Sequence, residues 1–338
     1  MTLGLLYHVG LIYGITQEWR VLSDETSSFI QYASDFIHMF RMEAFYLISG
    51  FFYLLVFSKG RAGFMKDRIY RALIPMLFCG FLINPIMNYY SYNWNYDLCS
   101  SYYFISGQWL GHLWFLGNLI IYFLLSIPLC KFIIRSKGLS SNALLFLFLF
   151  IVPVFGMLGL AISKITYNER FLFVSFHELF YYYSYFVFGC VCFKSKESFL
   201  SLLNFKYSML SLFVFLSVLS ICYIDLFSND VFNKILVKFS TGSLVLFSIS
   251  FLYCLGGRDS RLIRSFSDSS YTVYLLHQPL IILFYIFVFE RSGFSLVQNY
   301  LLMVLSVFFI SYCFHVFFVK NNKMIKFIFN GVTYNKKS

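Results

Sequence analysis

Residues 36–75 read FIHMFRMEAFYLISGFFYLLVFSKGRAGFMKDRIYRALIP. The first part, 36–57, is an apolar run of the length a helix needs to cross a hydrocarbon core roughly 30 Å thick. A loop rich in lysine, arginine and glycine follows, and from Ala72 the chain turns apolar again. The same alternation continues to the end. Further apolar runs lie near 72–90, 112–134, 142–163, 176–193, 205–227, 234–256, 269–289 and 295–319. Met1 to Ile15 makes a tenth, but at 1.5 Å per residue it reaches only about 22 Å. Either that helix thins the bilayer around it or its cytoplasmic half precedes Met1, and the second is the expectation. It lacks the basic leader and small-residue cleavage site of a signal peptide. The pattern predicts an all-α fold, a polytopic transmembrane helix bundle of about ten spans.

Composition supports the same class. Of 338 residues, 59% are hydrophobic and 12% charged, and the mean hydropathy is +0.73. Soluble domains carry about 25% charged residues, so this chain could not cover a water-facing surface. Soluble, disordered, collagenous and disulfide-scaffold classes are excluded. The net charge of +11 does not point to nucleic acid, because the basic residues sit in short loops between apolar runs. Loops at 59–71, 131–137, 194–206, 258–264 and 320–337 hold 19 of the 26 lysines and arginines. Arg20, Arg41, Lys164, Arg170, Lys234, Lys238 and Arg291 remain for the other side. The positive-inside rule then places both termini in the cytoplasm. Residues 1–320 form the transmembrane domain and 321–338 a short basic cytoplasmic tail. The longest non-spanning stretches, 16–35 and 91–111, are extracytoplasmic. The eight cysteines suggest no disulfide framework, and Cys190 and Cys192, two apart on a helix, make a poor metal pair. No metal site is expected.

An ionisable side chain in hydrocarbon costs about 2.5–3.5 kcal/mol on insertion scales, so each one calls for a partner or a function. His8 lies about 10 Å below the outer end of the first helix. Arg41 and Glu43 lie one to two turns below the outer end of the second. His112 begins the fourth from outside, Glu178 stands near the outer end of the sixth, and His277 lies near the middle of the ninth. These depths agree, and they predict one polar cavity opening toward the outer half. His38, His177 and His315 are read as packing residues. Arg41 and Glu43, two apart, diverge on a helix and pair with different neighbours. Gly10/Gly14 and Gly107/Gly111 match the small-residue helix-packing spacing. On the inner side, Arg68 and Arg71 share one face at the start of the third helix. Two guanidiniums there can hold phosphate bidentately or serve as plain topology anchors.

A mid-membrane imidazole open to the outside, above a phosphate-binding pair, suits group transfer across the bilayer. A coenzyme A thioester from the cytoplasm could dock its head group at Arg68 and Arg71, while a hydroxyl from outside meets the thioester at the imidazole. A neutral imidazole can take the hydroxyl proton and an arginine or second histidine can stabilise the oxyanion. A transient acyl-imidazole is an alternative route.

The series H8-V-G-L-I-Y, F40-R-M-E-A-F-Y-L-I-S-G-F52, F64-M-K-D-R-I-Y-R-A-L-I-P75, G111-H-L-W-F-L116 and S270-Y-T-V-Y-L-L-H-Q-P279 resembles the acyltransferase 3 family. Within it, the chain is most similar to the glucan biosynthesis protein C group. The likeness covers nearly the whole chain, with the motifs in the family's order. It implies a bacterial inner-membrane enzyme that O-acylates an extracytoplasmic glycan, moving acetyl or succinyl from acyl-CoA, with no covalently bound cofactor. It implies His8 as the catalytic residue and Arg68 and Arg71 as the donor-phosphate pair. Arg41, His112, Trp114, Tyr274 and His277 match motif positions and, with the polar Glu43, are the candidate substrate-binding residues. The family's Asp-x-x-Arg element, upstream of the His, has no counterpart here. The rival reading is a secondary transporter or flippase, in which the same buried His, Arg and Glu side chains line a substrate or proton path.

Overall fold

Ser27 ends the loop before the second helix, its side-chain oxygen accepting from the Ile30 N–H in the manner of an N-cap. Helix α2 (Ser28–Phe57) therefore starts eight residues earlier than the apolar run suggests, and its first turns carry the polar Gln31 and Asp35 above the apolar part. The computed structural model describes residues 2–91, 97–155, 158, 174–223, 230–256 and 260–332. The end of the 142–163 run, with Lys164 and Arg170, lies outside them, as do Arg258, Lys336 and Lys337.

Before α2 stands the short α1 (Thr2–Gly10). After it come α3 (Phe64–Tyr89), a single turn α4 (Ser101–Ile105), a 3-10 segment Gln108–Leu113 and α5 (Trp114–Arg135). Then follow α6 (Ser141–Phe155), α7 (Phe176–Lys194), α8 (Lys196–Leu202), α9 (Phe205–Tyr223) and α10 (Asp230–Leu255). The chain closes with α11 (Arg261–Phe284), α12 (Leu296–Phe314) and α13 (Lys323–Asn330). No strand occurs among the described residues. Six helical stretches there are long and apolar enough to cross a membrane, or seven if the pair Lys196–Leu202 and Phe205–Ile221, bent by 68°, is one span. Phenylalanines on helix flanks stand open, Phe29 at 78% and Phe213 at 69%, as expected of sides that face hydrocarbon.

Two prolines shape the helices locally. Pro85 and Pro153 lack the N–H a regular turn needs, and in each case a π turn precedes the ring, at Cys79–Ile83 and Leu147–Ile151. Helix α2 crosses α7 closely. A Cβ on Gly50 would overlap the Phe186 carbonyl, and one on Gly189 would overlap the Leu47 carbonyl. Tyr53 and Tyr122 brace the same region by donating to the carbonyls of Phe123 (2.6 Å) and Leu179 (2.8 Å). Helix α1 packs between α2, α11 and α12, with Leu5, Val9 and Ile12 in a core shared with Ile281, Ile282 and Met303. Residues 323–330, in the stretch expected to be a basic tail, are helical: Phe329 is buried between Phe78 and Phe314, so this helix lies against α3.

Candidate active site

Helices α1, α2, α10 and α11 and the 106–115 segment enclose a cavity of about 1000 Å³. Each wall is set by a local cause. Helix α1 approaches α2 because Gly10 and Gly14 present no Cβ: an added one would collide with the Ser34 hydroxyl or the Gln31 amide oxygen. That approach brings His8 into the cavity on the same side as Arg41. On α11, Tyr274, His277 and Gln278 stand at i, i+3 and i+4 and so share one face, and all three line the cavity.

His112 arrives by a different device. Gly107 and Gly111 are not helix-packing residues as their spacing suggests. Both have positive φ, +74° and +52°, and Gly111, with ψ −120°, breaks the 3-10 segment just before His112. Only glycine adopts such angles cheaply. The segment is tied down by a buried asparagine pair on α3. Asn84 donates to the carbonyls of Trp109 (3.0 Å) and Leu110 (2.7 Å). Asn88 donates to the Tyr103 hydroxyl (2.7 Å) and accepts from Arg20.

Three imidazoles form a row. The His8 and His277 ring centroids are 5.2 Å apart, and those of His277 and His112 are 5.0 Å apart. Tyr274 lies beside the last two at 5.3 and 5.2 Å and donates its hydroxyl to the His112 carbonyl. His277 Nδ1 faces the Tyr274 carbonyl at 2.5 Å. A carbonyl can only accept, so Nδ1 carries the proton and Nε2 keeps its lone pair. That Nε2 and both nitrogens of His112 are buried without a hydrogen-bond partner among the described residues. The amide nitrogen of Gln278 lies 3.1 Å from Nδ1 and 3.0 Å from Nε2 of His8, and Trp19 stacks on the His8 ring at 5.9 Å. Arg41 places its guanidinium 4.3 Å from the centre of the Tyr7 ring. Its Nε has no partner, and no salt bridge joins it to a carboxylate among the described residues. The cavity thus gathers imidazole nitrogens without hydrogen-bond partners among the described residues and a guanidinium outside any salt bridge there, groups able to take a proton and to stabilise a developing oxyanion.

Of the residues expected to share this cavity, His8, Arg41, His112, Trp114, Tyr274 and His277 line it. Glu43 and Glu178 do not. Two residues beyond Arg41, Glu43 faces α7, where it accepts from the Tyr181 hydroxyl at 2.9 Å and is 4% exposed. Lys238 sits over the other side of that cluster, 4.3 Å from the Tyr181 ring centre. Arg68 and Arg71 are also off the cavity wall. Arg68 lies over Phe64 at 5.6 Å, and Arg71, its side chain exposed, accepts at its carbonyl from Tyr271 (2.8 Å). No group of three or more His, Cys, Asp or Glu among the described residues could hold a metal. His315, read as a packing residue, is bonded to Thr272 at 2.8 Å, whereas His38 is exposed and stacks on Tyr7 at 4.9 Å.

A family model described as an acyltransferase domain matches residues 1–319. The chain belongs to the acyltransferase 3 family. As a member it is an acyltransferase that transfers groups other than aminoacyl groups, carried on a multi-pass membrane bundle. The chain is similar to proteins named glucans biosynthesis protein C from Salmonella paratyphi A and Salmonella agona. Each is 26% identical over 367 residues, covering 98% of this chain and 92% of the relative. The protein of that name from Salmonella paratyphi B is 26% identical over 364 residues, with the same coverage. No solved structure matches the chain.

Several site residues of this acyltransferase escaped the sequence reading. Tyr7, Trp19, Asp35 and Gln278 line the cavity, and Asn84 and Asn88 anchor its His112 wall. The asparagines carried a signal: two buried amides four apart inside an apolar run imply one shared polar neighbour. Gln278 carried one too, one turn beyond Tyr274 on the same helical face.

Proposed function

We propose that this acyltransferase moves an acetyl or succinyl group from cytoplasmic acyl-CoA to a hydroxyl of an extracytoplasmic glycan, a periplasmic glucan or surface polysaccharide, in the bacterial inner membrane. The observation that carries this reading is the convergence of His8, His112, His277 and Arg41 on one large cavity in a member of this family. The name shared by the relatives supports a glucan acceptor. Six or seven helices of spanning length stand among the described residues; the ten spans and cytoplasmic termini expected from the loop charges go with the reading, because they would face the 106–115 segment outward and Arg68 and Arg71 inward.

The reaction uses these groups in sequence. The acceptor hydroxyl attacks the thioester carbonyl while His8 takes its proton. Arg41 stabilises the oxyanion, and collapse of the tetrahedral intermediate breaks the C–S bond. His8 then returns the proton to the departing thiolate. His112, Trp114, Tyr274 and His277 form the acceptor side. Arg68 and Arg71 hold the donor's phosphates at the inner end of α3, off the cavity wall, and the donor's pantetheine arm spans the gap.

The test is mass spectrometry of periplasmic glucans and surface polysaccharides from cells with and without the protein, with an Arg68→Ala, Arg71→Ala double variant beside them. The reading expects acyl substituents that disappear with the protein, and, in initial rates of purified protein against acyl-CoA concentration, a donor KM at least tenfold higher in the double variant. Glycans with the same mass in both strains would overturn it.

A further inference from the structure

His8 has no carboxylate partner among the described residues; its hydrogen-bonding neighbour is an amide. The Gln278 nitrogen lies almost equally far from the two ring nitrogens, 3.1 and 3.0 Å. Its side chain is 4% exposed, and no other hydrogen bond engages its amide among the described residues. It stands on the face of α11 that also carries Tyr274, immediately before Pro279.

We propose that Gln278 is the positioning residue of His8, holding the resting ring through its N–H and the protonated ring through its oxygen. This rests on the acyl-transfer role proposed for His8. A neutral imidazole has one bare nitrogen and one N–H, and the amide N–H occupies the bare one at rest. When the acceptor hydroxyl enters, its O–H replaces the amide at that nitrogen. The proton passes to the ring as the new C–O bond forms, and both ring nitrogens then carry hydrogen. The terminal torsion of glutamine is broad and roughly two-fold, so the amide can turn and offer Oε1 to the second N–H. Both nitrogens lie within about 3.1 Å of the same amide, so a rotation of the side chain brings it into line with one nitrogen without moving the backbone. The ring proton later returns to the thiolate, and the amide resumes its resting position. In the serine-hydrolase triad a carboxylate holds the second ring proton; here a neutral amide does.

The experiment compares Gln278→Leu, Gln278→Glu and the natural full-length protein in detergent. Initial rates are taken with acetyl-CoA and succinyl-CoA and a glucan oligosaccharide. Separately, mass spectrometry follows the rate at which diethyl pyrocarbonate modifies His8, which needs no enzymatic turnover. Gln278→Leu fills the same space without an acceptor. It should lower kcat at least tenfold, leave donor KM within twofold, and speed modification of His8 at least threefold by uncovering the bare nitrogen. Gln278→Glu, which keeps an acceptor oxygen, should recover most of kcat. A packing role predicts the opposite order, with leucine tolerated and glutamate harmful; that order, or an unchanged modification rate in Gln278→Leu, overturns the proposal. If the natural protein transfers no acyl group, the function fails, while the modification rates still decide whether Gln278 covers His8.

Discussion

Gly111→Ala tests whether the backbone, rather than the side-chain contacts, aims His112. At φ +52°, ψ −120° an L-residue pays about 1–3 kcal/mol of backbone strain. The added methyl would meet Met87 Cε at 3.1 Å, Arg20 Nη2 at 3.5 Å and Asn84 Nδ2 at 3.5 Å. The last two are ordinary contacts, and a methionine methyl yields easily, so strain is the larger cost. The turn can relieve it only by rotating the 111–112 peptide, which swings the imidazole. A displacement of about 1 Å at a reacting centre costs roughly 10²-fold. Gly60→Ala is the control: φ is +59°, nothing lies within 4 Å of a Cβ there, and the loop is remote from the cavity. Thiol release from acetyl-CoA or succinyl-CoA in purified protein is the assay, with thermal unfolding in parallel. The expected result is a loss of about 10²-fold for Gly111→Ala and a rate within about twofold of natural for Gly60→Ala. A Gly111→Ala protein with natural rate and stability would refute the reasoning.

Other substitutions probe the remaining parts. Gly189→Ala sets a methyl against the Leu47 carbonyl, where backbone must part from backbone. It should cost at least the ~1–3 kcal/mol of an overpacked core, visible as a lower unfolding temperature and poor yield; unchanged stability would mean the α2–α7 crossing is looser than described. Arg41→Lys keeps the charge but loses the planar stacking on Tyr7, and kcat should fall at least about tenfold, or ~1.4 kcal/mol. Full activity in that variant would show that any cation suffices. Glu43→Gln keeps an oxygen for the Tyr181 hydroxyl and lies off the cavity wall, so its rate should stay within about twofold, less than ~0.5 kcal/mol. A larger loss would bring Glu43 into the chemistry.

What was legible in the sequence follows from which quantity each residue reports. Apolar runs report helices, and each run inside the described residues carries one, although in the first, Met1–Ile15, the helix stops at Gly10; burial in hydrocarbon leaves the backbone few other ways to bond itself. The helix start at Ser28 was hidden because Gln31 and Asp35 interrupt the run; those residues are polar because they face the cavity and its rim. Depth along the membrane can be counted from residue number, and it brought His8, Arg41, His112 and His277 to one level. Azimuth cannot be counted so simply. Glu43 matches the others in depth yet points to α7. Gly107 and Gly111 show a third limit: their spacing fits a packed helix, while their φ values make them hinges. Spacing alone does not distinguish the two.

The central claim is that the His8 imidazole carries the proton in acyl transfer. The most direct measurement is the rate of acyl transfer from acetyl-CoA and succinyl-CoA to glycan in membranes holding equal amounts of natural protein and of His8→Ala. The account predicts that His8→Ala inserts and folds like the natural protein but transfers no measurable acyl group. Glycan acylation at the natural rate in that variant would contradict it.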